Sequence, residues 1–319
     1  MISHHQRLAL LSDAASQLDE MFGRCVGAYS DITLRGYRHD LETFIGWCAT
    51  GERQWLPSSP ETLAAFIDHE IKRVSIATLK RRLAAIRFAH YLNDLQSPVV
   101  ASKVQLALRR AARVKARRPQ QVHGLTAGLL QRILVACPKT LSGKRDAALI
   151  AVGYDTLCRS SELAAMNVDD VLRSGQRSAL FVPRSKGDVV GDGRVGYLSD
   201  QTTRLLDGWM KGAGIESGPL FRGVRGNSVS KTTLETSTIR RLIKRAAKRA
   251  GIDTSVTSRL SGHSMRVGAA QDMMVAGFDS LAIMQSGGWK TPHVVLRYVE
   301  NASTRQLHQR RWERLLSVM

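Results

Sequence analysis

A short stretch near the C-terminal end of the chain combines residue types and spacing that suit chemistry on a phosphate. His263 and Arg266 are three positions apart, so a helix would carry both side chains on one face. Ser261 and Gly262 just before them are typical of a helix start, where free backbone N–H groups favour a phosphate. An arginine adds paired donors for two phosphate oxygens, and a histidine moves protons near neutral pH.

Trp289 and Tyr298 follow downstream, and the tyrosine is a candidate nucleophile. A phenol titrates at about pH 10, so it is a poor nucleophile at neutral pH unless cations and a base lie beside it. An arginine and a histidine aimed at the same phosphate would supply those surroundings. Taken alone, His263 and Arg266 are more often a surface pair, because short motifs are weak. The ordered set of four residue types is the stronger indication.

Arg159 and Glu162 are a second pair spaced by three, and they follow a hydrophobic run at 146–158 that predicts a buried helix. A surface ion pair is the plain interpretation, and such a pair contributes little to stability. A partly buried arginine oriented by Glu162 to bind a phosphate is the alternative. By themselves, these residues leave the two interpretations evenly balanced.

Lys186 lies in a predicted turn between two strand-like segments, 179–183 and 194–198. The pattern therefore predicts a β-hairpin with a basic tip, to which Arg184 also belongs. A solvated turn lysine is the ordinary interpretation of Lys186.

The balance of charge indicates the class of partner. The chain has 319 residues, with 47 lysines and arginines against 27 aspartates and glutamates, and a formal net charge of +20. A chain this basic most often binds nucleic acid. No lipidation motif supports a membrane-surface protein, and no apolar run of about 18 residues predicts a membrane span.

The cysteines and the N-terminus indicate a cytoplasmic protein. The four cysteines are scattered and form no C-x-x-C pair, so we expect no zinc site. Unpaired thiols fit a reducing compartment. The first residues lack the basic-then-apolar pattern of a signal peptide, so we expect a cytoplasmic location, with no membrane association.

The fold class is predicted as mainly α with a small β-sheet. Apolar residues recur at helical spacing up to about Arg118, without strand-like alternation, so residues 1–118 are expected to form an all-α DNA-binding domain. Residues 119–124 are interpreted as a linker. Residues 125–319 are expected to form an α+β domain.

Basic residues cluster on several predicted helices. Seven lie between Lys103 and Arg118 and six between Arg240 and Arg249, in both cases without an acid. A solvated face is the plain interpretation of such a run. Arginines on a helix can instead read guanine in a major groove, while other basic residues contact phosphates. The candidate DNA-binding residues are Thr33, Arg35, Thr78, Lys80, Arg81, Arg240, Arg241 and Lys244.

Residues 261–301 closely resemble the C-terminal end of the tyrosine recombinases, the phage integrase family. In that family a His-x-x-Arg motif precedes a His or Trp and then the tyrosine nucleophile. These positions are His263, Arg266, Trp289 and Tyr298 here. The tryptophan, rather than a histidine, matches one branch of the family.

The resemblance implies a site, a reaction and partners. It implies the catalytic residues Arg159, Glu162, Lys186, His263, Arg266, Trp289 and Tyr298, the last as nucleophile. The implied reaction is site-specific DNA recombination through a 3′-phosphotyrosyl intermediate and a Holliday junction, without ATP, cofactor or metal. The implied partner is double-stranded DNA with an inverted-repeat target, clamped between a SAM-like N-terminal domain and the catalytic domain.

The resemblance also implies a homotetramer on two DNA sites. Residues 305–319 form a short amphipathic pattern with Leu307, Trp312 and Leu315 among its apolar positions. This tail could pack on its own domain. In the family such a helix docks in a neighbouring subunit, as helix-in-groove recognition requires.

Three rival functions have their own distinguishing features. A type IB topoisomerase would use the same chemistry on one duplex. A metal-dependent nuclease would need carboxylates such as Asp155, Glu162, Asp169 and Asp170. A non-catalytic regulator would bind DNA through the basic helices without any covalent step.

Overall fold

The described part of the first unit consists of helices joined by loops, with no β-strand. The computed structural model describes residues 4–115, 121–174, 177–183 and 193–299, and four tail residues at 309, 312, 313 and 316. The chain divides into two units, residues 1–119 and 120–319. The first contains α1 (His4–Gly23), α2 (Asp31–Thr50), α3 (Pro60–Glu70), α4 (Ile76–Leu92) and α5 (Ser102–Val114).

Serine caps start three of these helices. Ser30, Ser59 and Ser75 each accept a hydrogen bond from the backbone N–H three residues later, which satisfies a donor that the helix leaves free. The apolar stripe predicted on α2 is buried, with Leu41 and Phe44 fully covered. They belong to the core that this unit forms by itself.

A buried ionic network joins α2, α3 and α4. Asp40 is fully buried and accepts two hydrogen bonds from Arg81, at 2.6 and 2.8 Å. Arg82 lies 3.6 Å from Asp40 and also pairs with Glu70, which is buried too. Arg81, a candidate DNA-binding residue, therefore already holds a carboxylate inside its own domain.

The second unit combines helices with two small antiparallel sheets. Its helices are α6 (Ala127–Val135), α7 (Leu141–Asp155), α8 (Ser160–Ala165), α9 (Asp200–Ala213), α10 (Thr236–Arg249), α11 (Thr254–Arg259), α12 (Ser264–Val275), α13 (Ser280–Gly287) and α14 (Pro292–Val299). Its strands are β1 (Val171–Ser174), β2 (Arg177–Val182), β3 (Arg194–Leu198), β4 (Arg222–Arg225) and β5 (Ser228–Thr233). The fold class predicted from the sequence is confirmed.

The strands form a sheet of order β1-β2-β3 and a separate hairpin, β4-β5. The predicted pairing of β2 with β3 is confirmed, with Phe181 opposite Val195. The sequence did not predict β1 or the second sheet, because β1 has four residues and β5 is almost entirely polar. No helix among the described residues is long and apolar enough to cross a membrane.

His90 is a buried, hydrogen-bonded histidine of the first unit. Its ring is fully buried, and its Nε2 accepts the backbone N–H of Ser58 at 3.1 Å. The other ring nitrogen, Nδ1, lies 2.8 Å from the carbonyl oxygen of Ile86 and donates to it. Burial lowers the pKa of His90, so the neutral imidazole that makes both bonds is favoured.

We predict that the buried His90 makes the free energy of unfolding fall as the pH is lowered. The folded pKa lies below the unfolded value of about 6.5, so below that pH the unfolded chain binds the proton first. Between pH 8 and 5, wild type should lose about 1 kcal/mol more unfolding free energy than His90→Gln, which keeps an acceptor but does not titrate. Urea unfolding of the full chain measures this difference. His39→Gln, at an exposed histidine of the same unit, is the control; an identical pH dependence in wild type and His90→Gln would contradict the prediction.

Candidate active site

The turn before α12 places His263. This residue is the N-cap of α12, and its backbone N–H donates to Ser261 Oγ at 3.1 Å. Ser264 Oγ in turn accepts the backbone N–H of Ser261 at 2.9 Å. Gly262 has no room for a side chain, because an added Cβ would lie 1.8 Å from Ser160 Oγ. The turn is thus fixed against the start of α8.

Tight packing also fixes α12 itself. A Cβ on Gly268 would lie 2.0 Å from the carbonyl oxygen of Leu125, so only glycine allows this approach. At the far end of the helix, Asp272 Oδ2 accepts hydrogen bonds from Tyr154 Oη and from the backbone N–H of Ala127, both at 2.6 Å. The helix that carries the His-x-x-Arg motif therefore has little freedom to shift.

His263 and Tyr298 form a hydrogen-bonded pair. The imidazole Nε2 lies 2.6 Å from the phenolic oxygen of Tyr298. Tyr298 lies on α14, and its backbone carbonyl accepts a hydrogen bond from Gln271 of α12 at 3.2 Å. The ring of Trp289 lies 5.4 Å from that of Tyr298. The phenol thus has a possible base beside it within the same chain.

Arg266 is a buried cation that lacks enough partners. Its side chain is fully covered, and Nη1 donates to the carbonyl oxygen of Leu157. Its guanidinium carbon lies 4.1 Å from the centre of the Trp289 ring, a cation–π contact. Among the described residues, its Nε and Nη2 have no hydrogen-bond partner. Such orphaned donors in the interior call for an explanation, and an anion is the natural one.

Arg159 and Glu162 form the first turn of α8. Arg159 Nη1 lies 2.5 Å from Glu162 Oε1, and the backbone N–H of Arg159 donates to Oε2 at 2.9 Å. The arginine side chain is 26% exposed and that of Glu162 only 4%. The carboxylate therefore orients a partly buried guanidinium that still reaches solvent, and the binding of a phosphate by this arginine stays a prediction.

The charges of these groups influence one another. Burial, and then the positive charges of Arg266 and Arg159, lowers the pKa of His263. Burial and the charge of Arg159 lower the pKa of Arg266 to about 10. Burial by itself raises the pKa of Glu162, but the hydrogen bonds of Arg159 and the charges of Arg159 and Arg194 outweigh it and leave that pKa lowered. The site thus combines ionised arginines, an ionised carboxylate and a neutral imidazole.

The structure brings six of the seven candidate catalytic residues into one cluster, while the seventh, Lys186, lies outside the described residues. Sequence reasoning missed Arg194, which lies at the start of β3 and is 3.5 Å from Glu162 Oε2. In the sequence, Arg194 is simply the first residue of a predicted strand. The one sign of a special role is that this charged residue pairs with the apolar Val182 of β2.

The candidate DNA-binding residues of the first unit lie around two helix starts. The hydroxyls of Thr33 and Thr78 lie 2.9 and 3.0 Å from those of the N-cap serines of α2 and α4. Arg35 and Lys80 are exposed nearby in sequence. A helix start with a basic neighbour is suited to a phosphate.

The three candidates of the second unit lie on α10. Arg240 and Arg241 are exposed, and Arg241 donates to Thr238 Oγ1 at 2.9 Å. Lys244 donates to the carbonyl oxygen of Ser258 at 2.7 Å. The opposite face of the helix is buried through Ile239, Leu242 and Ile243 and two further positions of the same helix, Ala246 and Ala247. The helix thus presents its basic face to solvent.

Metal ligands form no recognisable cluster in the described ranges: no three His, Cys, Asp or Glu residues are grouped so that they could hold an ion. Three of the four carboxylates considered for a nuclease, Asp155, Glu162 and Asp170, have protein partners. Asp155 accepts the backbone N–H of Ser199 at 2.8 Å, and Asp170 accepts that of Asn167 at 2.8 Å.

Two protein-family models match the chain. The phage integrase family model matches residues 124–305, and the phage integrase N-terminal SAM-like domain matches residues 25–94. The chain is 28% identical to the recombinase cre of Escherichia phage P1, over 94% of each chain. It is 29% identical to an integrase/recombinase xerD homolog of Selenomonas ruminantium, over 86% of this chain and 83% of that one.

A solved structure shares the fold. A lambda integrase tetramer bound to a Holliday junction superposes with a TM-score of 0.62 at 17% identity, over 91% of this chain and 78% of that one.

We predict that the buried charge of Arg266 lowers the free energy of unfolding. A guanidinium whose folded pKa is lowered is destabilised in its charged form at neutral pH. Arg266→Met should therefore raise the free energy of unfolding by about 1–3 kcal/mol at pH 7, even after the lost contacts to Leu157 and Trp289 are counted. Urea unfolding of the full chain measures this change.

Arg145 provides the matched control. It is equally buried, but its guanidinium donates twice to Asp146, at 2.9 and 2.6 Å. Arg145→Met should lower stability by about 3 kcal/mol, because it removes a partner from a buried charge. A loss of similar size in both variants would show that Arg266 is a structural arginine like Arg145.

Proposed function

Because the chain belongs to the phage integrase family of tyrosine site-specific recombinases, we propose that Tyr298 cleaves DNA by attacking a backbone phosphate. The phenolic oxygen forms a bond to phosphorus, and the bond from phosphorus to the 5′ oxygen breaks. The products are a 3′-phosphotyrosyl link and a free 5′-hydroxyl. The observation that carries this proposal is the 2.6 Å contact between Tyr298 and His263, next to Arg266.

His263 accepts the phenolic proton in this scheme. A base must lie within hydrogen-bonding reach of the proton it removes, and Nε2 meets that requirement. Its lowered pKa keeps the imidazole neutral and able to accept at neutral pH. After His263 has taken the phenolic proton, the negative charge of the phosphate bound to the arginines stabilises the protonated ring.

Arg159 and Arg266 stabilise the charge that develops on the phosphate oxygens. The two unpartnered nitrogens of Arg266 are donors fixed before the substrate arrives. Donors placed in advance, in a site that excludes water, contribute most to lowering a barrier of this kind. Glu162 orients Arg159, and Trp289 packs on Arg266 and donates its indole N–H to the phosphate.

Lys186 supplies the proton for the departing 5′ oxygen. This assignment rests on the family position of the lysine between β2 and β3. The reaction needs no ATP, since the phosphotyrosyl bond retains the energy of the phosphodiester. A 5′-hydroxyl from a second duplex reverses the reaction and joins the two DNA molecules, so that two rounds pass through a Holliday junction. The arginines provide the positive charge, so the proposal invokes no metal ion.

In this proposal, residues of both units contact the DNA. We assign phosphate contacts to the starts of α2 and α4, with Thr33, Arg35, Thr78 and Lys80, and base contacts in the major groove to Arg240 or Arg241. Arg81 has only part of its guanidinium left for DNA, because Asp40 holds the rest. The division into residues 1–118 and 125–319 around a linker suits a clamp around a duplex, and an inverted-repeat target would bind two copies.

Assembly and location follow from the same scheme. The lambda integrase neighbour is a tetramer on a Holliday junction. We propose a homotetramer on two DNA sites, in which the tail at 305–319 docks on a neighbouring copy, and we place the protein in the cytoplasm with the DNA. Most of that tail lies outside the described residues; the part described includes Trp312 and Leu316, both more than half exposed.

The first test removes the nucleophile. Tyr298→Phe should retain DNA affinity within about twofold and form no covalent adduct, because only the attacking oxygen is lost. A nicked suicide duplex that traps the intermediate shows the adduct on a denaturing gel. Tyr197→Phe, an exposed tyrosine of β3, is the control and should leave adduct yield unchanged. Adducts formed by Tyr298→Phe would refute the assignment, and cleavage that stops with EDTA would favour a nuclease.

The second test concerns the leaving group. Lys186→Ala should slow adduct formation on ordinary DNA by about 100-fold or more, the usual contribution of a general acid. A substrate with sulfur in place of the 5′ bridging oxygen should restore the rate to within about tenfold, because a thiol of pKa about 8.5 leaves without a proton.

Lys231→Ala, at an exposed lysine of β5, is the matched control, and Arg159→Ala should stay slow on both substrates. If Lys186→Ala were equally slow on both substrates, Lys186 would not be the proton donor.

A further inference from the structure

Arg194 joins three separate parts of the candidate site. It is the first residue of β3, and its side chain is only 12% exposed. Its guanidinium reaches the loop before α8, the carboxylate on α8 and the end of α13.

The first group of contacts concerns the Arg159–Glu162 pair. Arg194 Nη2 lies 3.5 Å from Glu162 Oε2, the oxygen that also accepts the backbone N–H of Arg159. The same nitrogen donates to Cys158 Sγ at 3.3 Å. Glu162 is thus held between two guanidinium groups, one on each oxygen. A carboxylate held from both sides has one orientation, and so does the arginine that it orients.

The second group concerns the segment that carries Trp289. Arg194 Nη1 donates to the carbonyl oxygen of Ser286 at 3.1 Å, one of the last carbonyls of α13. A cation at this end of a helix is favoured by the helix dipole. Gly288, with φ of +63°, has its Cα so close that an added Cβ would lie 2.9 Å from Arg194 Cδ. Arg194 therefore packs on the residue directly before Trp289.

We propose that Arg194 is a positioning residue for DNA cleavage. It sets the distance between two phosphate-binding parts of the site: the Arg159–Glu162 pair on α8, and Trp289, whose ring stacks on Arg266. This inference rests on the proposed function. One planar guanidinium spans both parts: Nη2 faces Glu162 on α8, and Nη1 donates to Ser286 near Trp289.

A lysine does not meet this requirement. A guanidinium offers donors in a rigid planar fork, whereas an ammonium is a single charge on a flexible chain. Arg194→Lys keeps the charge but cannot hold Ser286 and Glu162 in a fixed relation. Arg194→Met removes the charge as well, so the two variants separate the effect of position from that of charge.

The experiment measures cleavage by bound protein. Wild type, Arg194→Lys and Arg194→Met are mixed with a nicked suicide duplex, and both DNA affinity and the single-turnover rate of adduct formation at saturating protein are recorded. We expect affinity within about twofold and rates lower by about 10- to 100-fold in both variants, because small misplacements of catalytic groups have effects of this size. Arg173→Met, which removes an ion-paired arginine of β1 in the same sheet, should leave the rate unchanged.

A double-variant cycle tests whether Arg194 acts through Glu162. In a Glu162→Gln background, the further loss caused by Arg194→Met should shrink to less than about threefold, because residues of one network are not additive. A normal rate in Arg194→Lys, weaker DNA binding with normal rates, or fully multiplicative losses would each overturn the proposal. Absence of any adduct in wild type would instead refute the proposed function, so the two failures are distinguishable.

Discussion

The candidate site is organised around one buried positive charge, that of Arg266, whose Nε and Nη2 have no hydrogen-bond partner among the described residues. Placing a guanidinium in the interior is costly, and the lowered pKa of about 10 reflects that cost. Three contacts fix the guanidinium in place. Its Nη1 donates to the Leu157 carbonyl, and its guanidinium carbon lies 4.1 Å from the centre of the Trp289 ring. The helix that carries it, α12, packs closely on Leu125 at Gly268. Leu157 itself adopts φ of +52°, an unusual conformation for a residue with a side chain. Local strain and an orphaned charge therefore occur at the same place, as is common where a protein binds a ligand.

The remaining charges of the site are arranged around this group. Glu162 is the carboxylate that balances it in part, and it is shared between Arg159 and Arg194. The cluster therefore holds an excess of positive charge in a partly dry environment, where electrostatic interactions are stronger than in water. A phosphate diester, with one negative charge and two free oxygens, would reduce that excess. Burial and the arginines lower the pKa of His263, so the surplus of cations also favours the neutral imidazole that the proposed mechanism requires.

The sequence predicted the parts of the site that are close together along the chain or appear in a fixed order. His263, Arg266, Trp289 and Tyr298 followed from type and spacing, and the hairpin of β2 and β3 followed from alternation. Arg194 did not, because its contacts with Glu162 and Ser286 arise only when β3 packs against α8 and α13. Arg81 was considered only as a DNA ligand, since nothing local indicates that Asp40, 41 positions earlier, would hold it. Charge patterns reveal which residues are basic, but packing decides which of them are free.

The bond between His263 and Tyr298 also bears on how several copies would share their work. His263 and Tyr298, the proposed base and nucleophile, belong to the same polypeptide and are in contact without a residue from a neighbour. In an assembly with several copies, each would hold a complete pair for the first covalent step. Any alternation between active and inactive subunits would then have to come from small changes in the position of α14 or of the arginines around it. A tyrosine supplied by a neighbouring subunit would not be needed. Control by displacement needs only a shift of about an ångström, because proton transfer requires a heavy-atom separation of about 2.6–3.2 Å.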